Sequence, residues 1–358
     1  MSLALERVSK VYGQGRFAVE AVRELSLGVA PGEIVALLGS SGCGKTSTLR
    51  MIAGLERVSA GEIRLNGRRI DPLPPAQRRV AMAFEGYALY PPLTVAENIG
   101  FGLSGMASGE RAREVREIAE LLDISDILDR LPARLSAGQQ QRTSLARALV
   151  RRAELYLLDE PMGQLEPQLR AVLRGRIKAW LKARNATTIL VTHDQTEANA
   201  MADRIAIMEG GVLQQFAPPE NLRSHPANLF VATFFGEPPM NILEGTLAEG
   251  ALHLPGAAHP LPLPSPHRTL RPGPVKAGIR PHDLELGEGP CEGRVLSNQW
   301  LGDQSHIALD AAGTLVIAVT FTPFAAAMGE TLRFGFPLER LHLFDPETGL
   351  ALDRKSSP

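Results

Sequence analysis

Cysteine, aromatic residues, net charge and long apolar runs are all scarce in this chain. Two cysteines, Cys43 and Cys291, occur among 358 residues, which excludes a disulfide framework and a cysteine-built zinc centre. Aromatic residues make up 5%. No apolar run reaches the roughly 18 residues that a bilayer-spanning helix needs. Lysine plus arginine total 38 against 39 acidic residues, a net charge of -1, so no global field draws the chain toward nucleic acid or anionic lipid. The opening MSLALERVSKVYG carries early charges and no apolar core; no signal peptide is expected, and the expected compartment is the cytosol. Arg68, Arg69, Arg78 and Arg79 form a basic cluster expected on a solvated loop face.

Hydrophobic residues at 44% supply ordinary cores, and the length suits two domains of roughly 100–200 residues each. Up to about residue 235, strand and helix patterns alternate. Val22, Leu25, Leu27 and Val29 mark a strand that ends at Pro31-Gly32. Ile34 to Leu38 is a continuous apolar run, as in a strand buried on both faces. Helical stripes run along Glu110–Leu122 and Leu165–Leu181, and Ile189–Val191 is a further buried strand. This is the pattern of an α/β domain. After Phe235 the composition changes. Nine prolines fall between Pro255 and Pro290, in a stretch that reads as a linker or as loops. Short strands are expected at Arg294–Leu296, Ser305–Leu309, Leu315–Thr320, Leu332–Phe336 and Leu341–Phe344, giving a smaller all-β barrel or sandwich.

Four motifs occur in fixed order: GSSGCGKT (Gly39–Thr46), LSAGQQQR (Leu135–Arg142), LYLLDEP (Leu155–Pro161) and THD (Thr192–Asp194). The first fits the phosphate-loop pattern at every specified position and lies between a strand and a helix, the context that pattern requires. Gly39, Gly42 and Gly44 permit turns that point successive N–H groups at phosphate oxygens. The helix that follows adds partial positive charge. Lys45 is expected on the β- and γ-phosphates and the Thr46 hydroxyl on Mg²⁺; Ser40, Ser41, Cys43 and Ser47 complete the ATP-binding segment. The LYLL strand delivers Asp159, expected to hold Mg²⁺, and Glu160, expected to polarise the attacking water. Taken alone, that pair also fits an acidic turn. His193 ends the next strand at the carboxyl edge of the sheet, where α/β ligands bind; it is expected to contact the γ-phosphate and orient the water, against the structural role that a lone histidine more often has. Ser136 and Gly138 suggest an anion-binding turn at a helix start, and Ser136 equally suits an N-cap.

With these motifs the chain resembles the ATPase subunits of ATP-binding cassette (ABC) transporters, and more narrowly the carbohydrate importer ATPases of the maltose and glycerol-3-phosphate type. YALYPPLTVAENI (Tyr87–Ile99), VTHDQTEA (Val191–Ala198), HPANLFVATFFGEPPMN (His225–Asn241) and GIRPHDL (Gly278–Leu284) extend the resemblance over nearly the whole chain. It implies a P-loop ABC-type nucleotide-binding domain over 1–235, with a helical subdomain at about 86–150. An all-β, OB-like regulatory domain would follow over 236–358. It also implies a nucleotide sandwich, with each ATP lying between one Gly39–Thr46 loop and the partner's Leu135, Ser136, Ala137, Gly138 and Gln139. Tyr12 matches the aromatic that stacks on adenine. The implied partners are a second ATPase subunit, two membrane-spanning permease subunits that dock near Glu85–Tyr90 and Glu110–Leu122, and an extracytoplasmic solute-binding protein. The implied place is peripheral, on the cytoplasmic face of the membrane.

Three departures stand out. Glu85 replaces the family's glutamine, which contacts Mg²⁺ and the water, so it keeps an oxygen ligand for the metal but puts a charge near the triphosphate; two unit charges about 4 Å apart interact by roughly 4 kcal/mol at an effective dielectric of 20, and Glu85 is expected to face the metal, to be protonated or to swing away. The loop that usually reads S-N-L-D-A is Gly163-Gln164-Leu165-Glu166-Pro167, which raises pairing with a different ATPase subunit beside the homodimer; Pro167 is harmless in a helix's first turn. Ala137 replaces a glycine, a mild change unless the backbone there is left-handed. A soluble ABC ATPase acting on nucleic acid or ribosomes is the second reading. The single cassette, the absence of a heptad run and the neutral charge speak against it, and no nucleic-acid partner is expected.

Overall fold

A computed structural model describes residues 1–264, 267 and 270–352. The chain divides into two compact units, Met1–Pro219 and Glu220–Pro358. The last six positions of the expected second domain lie outside the described residues.

Among the described residues of the first unit, a six-stranded sheet carries the motifs. Its order is Val212–Ala217, Arg204–Glu209, Ile34–Gly39, Thr188–Val191, Leu155–Asp159 and Val80–Ala83. All neighbours are parallel except the first pair. Every residue of Ile34–Gly39, Leu155–Asp159 and Thr188–Val191 is buried, which is why these strands read as continuous apolar runs rather than alternations. Register aligns Leu37 with Val191 and Val191 with Asp159, so three motifs leave the sheet at one edge. The helix Lys45–Ala53 packs Leu49, Met51 and Ile52 between this sheet and an antiparallel sheet ordered Val19–Val29, Leu3–Tyr12, Ala60–Leu65 and Arg68–Arg69.

The expected helical segment holds Val95–Gly100, Ser108–Leu121 and Ala137–Leu149. Two of these start on capping boxes, Thr94 with Glu97 and Ser136 with Gln139, each satisfying two orphan backbone donors. Helix Pro167–Ala183 starts with Pro167 in its first turn, where its missing N–H costs nothing.

Arg78 is a correction to the sequence reading. It is buried at 3% exposure and donates to the carbonyls of Leu73, Met51, Ile52 and Asp71. The guanidinium closes the carboxyl end of helix Lys45–Ala53, whose last carbonyls need donors. Arg68 and Arg69 are exposed as expected.

The second unit is built on two antiparallel sheets. One has the order Leu261–Pro262, Ala251–His253, Asn241–Ala248, Gly273–Ile279 and His342–Phe344; the other has Thr314–Thr320, Ser305–Ala311, Glu285–Trp300 and Thr331–Gly335. Strict burial alternation along Ser305–Ala311 sends Ile307 and Leu309 into a core with Val275, Ile279, Phe334 and Leu343. The strands expected near 294, 305, 315, 332 and 341 all lie within this unit. The described residues of the proline-rich stretch form loops and strands of the unit itself, since Gly273–Ile279 pairs with both Asn241–Ala248 and His342–Phe344.

The two compact units divide between Pro219 and Glu220, and a buried cation ties the residues just before 235 to the β strands that follow. Arg280, 4% exposed, donates to the carbonyls of Ala232, Phe235 and Arg223. Helix Leu229–Phe234 is thereby fastened to the β unit, as it also is by the Leu229 N–H to Gly349 O bond.

Candidate functional site

The loop after strand Ile34–Gly39 turns on three glycines, two of which leave no room for a side chain. A Cβ on Gly39 would sit 2.1 Å from Met208 O, and one on Gly44 (φ 102) 2.3 Å from Ala21 O. Gly42 has φ 79 and faces open space, so it serves the turn alone. The Lys45 ammonium is drawn back into the loop, donating to Gly39 O and Ser40 O at 2.9 Å each. Ser40 Oγ donates to Glu209 Oε2 at 2.6 Å. Cys43 is buried, with its thiol pushed up by burial. Ser41 is exposed, and Thr46 and Ser47 are half-buried. Tyr12 ends strand Leu3–Tyr12 at 36% exposure, its hydroxyl 3.2 Å from Ser47 Oγ and its ring 4.6 Å from Lys10 Nζ. Tyr12 is thus an exposed, pinned ring rather than a buried one.

Asp159 is 4% exposed, and its Oδ1 has no hydrogen-bond partner. Burial first, then the charges of Glu85 and Glu160, push its carboxyl up to about 6. A buried, unpaired carboxylate oxygen costs energy unless something cationic meets it. A carboxylate oxygen of this kind suits Mg²⁺, a hard cation that prefers oxygen; Thr46, half-buried at the start of helix Lys45–Ala53, is not among the residues lining the cleft with Asp159.

Glu160 follows with φ 45, a left-handed conformation uncommon for a non-glycine residue and concentrated at functional sites. Its Oε2 lies 3.0 Å from His193 Nδ1. His193 itself is largely exposed, at 68% of its side chain. A cleft of about 610 Å³ opens here, lined among others by Arg50, Glu85, Gln141, Asp159, Glu160 and Gly163. Glu85 is exposed on it, and Arg50 on the cleft wall, with Lys45, opposes the acidic charge around Asp159.

Leu135, Ser136, Ala137, Gly138 and Gln139 sit elsewhere and are not among the walls of this cleft. Ser136 Oγ accepts from Gln139 N–H, and Gln139 Oε1 accepts from Ser136 N–H. Ala137 opens the helix without positive φ, so replacing glycine there is mild. A Cβ on Gly138 would lie 3.3 Å from Gln164 O, so this helix start runs close against its own Gly163–Glu166 loop. Leu165 is buried, while Gly163 and Gln164 line the cleft. Glu166 caps helix Pro167–Ala183 through its backbone alone.

Sequence reasoning missed two residues that shape this site. Gln141 is buried and bridges Glu160 O and Gln164 N; it stood inside the quoted LSAGQQQR motif. Arg170 donates to Leu165 O, Gly163 O and Asp194 Oδ2, a set of partners that the fold assembles and that residue spacing does not signal.

Known proteins resemble this chain over nearly its whole length. The ABC transporter family model matches residues 22–163, and the TOBE domain model matches residues 277–344. The xylose/arabinose import ATP-binding protein XacK of Haloferax volcanii is 40% identical over 99% of this chain and 96% of its own length. The sn-glycerol-3-phosphate import ATP-binding protein UgpC of Jannaschia sp. is 42% identical over 98% of this chain and 99% of its own length. Among solved structures, the dimeric post-hydrolysis state of the ATP-binding cassette MJ0796 bound to ADP and Pi matches with a TM-score of 0.57 at 26% identity, covering 60% of this chain and 98% of that one. The soluble nucleic-acid reading gains nothing from these relatives. A phosphate loop, a carboxylate pair and a TOBE domain, carried at this identity over nearly the full length, place the chain in the ABC transporter family as an ATP-hydrolysing subunit.

Proposed function

We propose that this chain is the energy-coupling ATPase of an importer for a sugar, polyol or sugar phosphate. It works as an ATP-sandwich dimer on two membrane-spanning permease subunits, with an extracytoplasmic binding protein delivering the solute. Among the described residues no helix is long and apolar enough to cross a membrane. A peripheral place on the cytoplasmic face, reached through the permease, is part of the proposal. Import and solute class follow the relatives named for xylose/arabinose and sn-glycerol-3-phosphate import.

The observation that carries the hydrolytic role is the left-handed Glu160 with its carboxylate against His193. Lys45, Ser40, Ser41 and the loop N–H groups from Gly39 to Ser47 bind the triphosphate, and Tyr12 stacks on adenine. Thr46, Asp159 and Glu85 would hold magnesium, which when bound would neutralise charge on the phosphates; Asp159 and Glu85 line one cleft. Glu160 orients the attacking water and accepts its proton. His193 fixes the Glu160 carboxylate and reaches the γ-phosphate. The partner's Leu135–Gln139 segment closes the site, and Gly163–Glu166 crosses the interface. ATP binding closes the dimer and hydrolysis reopens it, driving the permease between its two states.

A homodimer is the simpler assembly. A pairing with a related subunit gains support from Haloferax volcanii, where two different proteins, XacK and XacJ, both carry the xylose/arabinose import name and are each 40% identical to this chain.

The test is co-purification from native membranes followed by reconstitution. Permease subunits and ATP-dependent solute uptake into vesicles are expected; recovery with ribosomes or nucleic acid would sink the transport reading. Intact mass of the ATPase chains in the assembly separates homodimer from heterodimer.

A further inference from the structure

The Gly163–Glu166 loop is held from two sides. Gln141 lies one turn into helix Ala137–Leu149 and is 4% exposed. Its Nε2 donates to Glu160 O and its Oε1 accepts from Gln164 N–H, both at 2.9 Å. One amide thus spans the segment from the catalytic carboxylate's own backbone to the middle of the loop. On the far side, Arg170 donates to Leu165 O at 3.1 Å and to Gly163 O at 3.4 Å, and reaches Asp194 Oδ2 at 3.1 Å. Asp194 follows His193 and caps the next helix through Glu197 N–H. Gly163 has no side chain to fix the loop itself.

We propose that Gln141 is a positioning residue that ties occupancy of one nucleotide site to the geometry of the other. This rests on the ATP-sandwich dimer. The start of helix Ala137–Leu149 faces the nucleotide held by the partner, whereas Glu160 and His193 face the nucleotide held by the same chain. Movement of the helix start on the partner's ATP is passed by a rigid, buried amide to Glu160 O and Gln164 N–H, and onward by Arg170 to the His193 turn. The amide cannot let go without leaving buried polar groups unpaired, so displacement is transmitted rather than absorbed.

The test uses the full chain as Gln141→Leu, which removes both bonds at similar volume, and Gln141→Glu, which keeps the acceptor for Gln164 N–H and loses the donor to Glu160 O. The readouts are ATP affinity of the separate chain, kcat, and the Hill coefficient of hydrolysis against ATP. The parent is expected to be cooperative, with a Hill coefficient approaching about 2 for two coupled sites. In both variants ATP affinity stays within about twofold while kcat falls roughly tenfold or more and the Hill coefficient drops toward about 1. Unchanged kcat and cooperativity in the variants would overturn the inference. So would a parallel loss of affinity and kcat, which marks simple structural damage. The dimer reading fails separately, if the ATP-loaded Glu160→Gln chain stays monomeric by light scattering. If Gln141→Leu does not fold, Gln141→Glu carries the same readouts.

Discussion

Nδ1 of His193 stands 3.0 Å from Oε2 of Glu160, and the Glu160 backbone is left-handed. The strain and the contact belong together: the turn after strand Leu155–Asp159 aims the carboxylate at the end of the neighbouring strand Thr188–Val191. Glu160→Gln is expected to cut ATP hydrolysis by about 100-fold or more, the usual worth of a positioned base, while ATP binding persists. Phosphate release and nucleotide affinity, measured side by side, check this; a variant that still turns over at the parent rate would remove Glu160 from the chemistry.

Asp159 and Glu85 set an acid limb. Burial, then Glu85, then Glu160 push the Asp159 carboxyl up to about 6. Magnesium requires the carboxylate, so Mg²⁺-dependent ATP affinity is expected to weaken as pH falls through about 6. Glu85→Gln deletes one repelling charge and moves that limb to lower pH. Affinity measured from pH 5 to 8 in both proteins decides it, roughly the range in which such a group titrates; superimposable limbs would clear Glu85 of any electrostatic role.

Glu197 makes stability pH-dependent. It is 3% exposed, and burial pushes it up to about 7 from 4.5. Below about pH 4.5 the folded and unfolded chains both hold the proton, and this group costs nothing. As pH rises toward 7 the unfolded chain ionises first, so stability is lost over that window and levels off above it, by ~3 kcal/mol in all. Glu197→Gln should flatten this part of the urea-midpoint profile. A parent profile already flat between those limits would show that Glu197 ionises normally.

Arg78 should be worth several ordinary surface arginines. Arg78→Met strands the carbonyls of Met51, Ile52, Leu73 and Asp71, with an expected loss of ~2–4 kcal/mol of unfolding free energy. Arg79→Met, whose partner is Glu154 across an exposed pair, is expected to lose less than about 1 kcal/mol. Equal midpoints for the two variants would contradict the burial argument.

Local signals made the phosphate loop, the Asp159–Glu160 strand and the Ser136 cap legible, because each depends on residues adjacent in sequence. Glycine spacing, continuous burial and capping chemistry carry their geometry with them. Arg78 was misplaced for the opposite reason. A charged residue among charged neighbours reads as solvated, and only the fold brings carbonyls from positions 51, 52, 71 and 73 around it. Gln141 stood in a recognised motif, yet its two bonds run to positions 160 and 164, a convergence that spacing does not encode. Strand Leu3–Tyr12 was not anticipated either, since register shifts blur its alternation.

The clasp formed by Arg280 bears on how this protein can be taken apart. Composition invites a cut near residue 235, but that scissor line runs through the three carbonyls Arg280 holds, at Arg223, Ala232 and Phe235. Burial already drags this guanidinium down to about 10. Severed there, the β half would inherit a charge stripped of part of its solvation substitute, whereas a cut before Glu220 would leave the clasp whole.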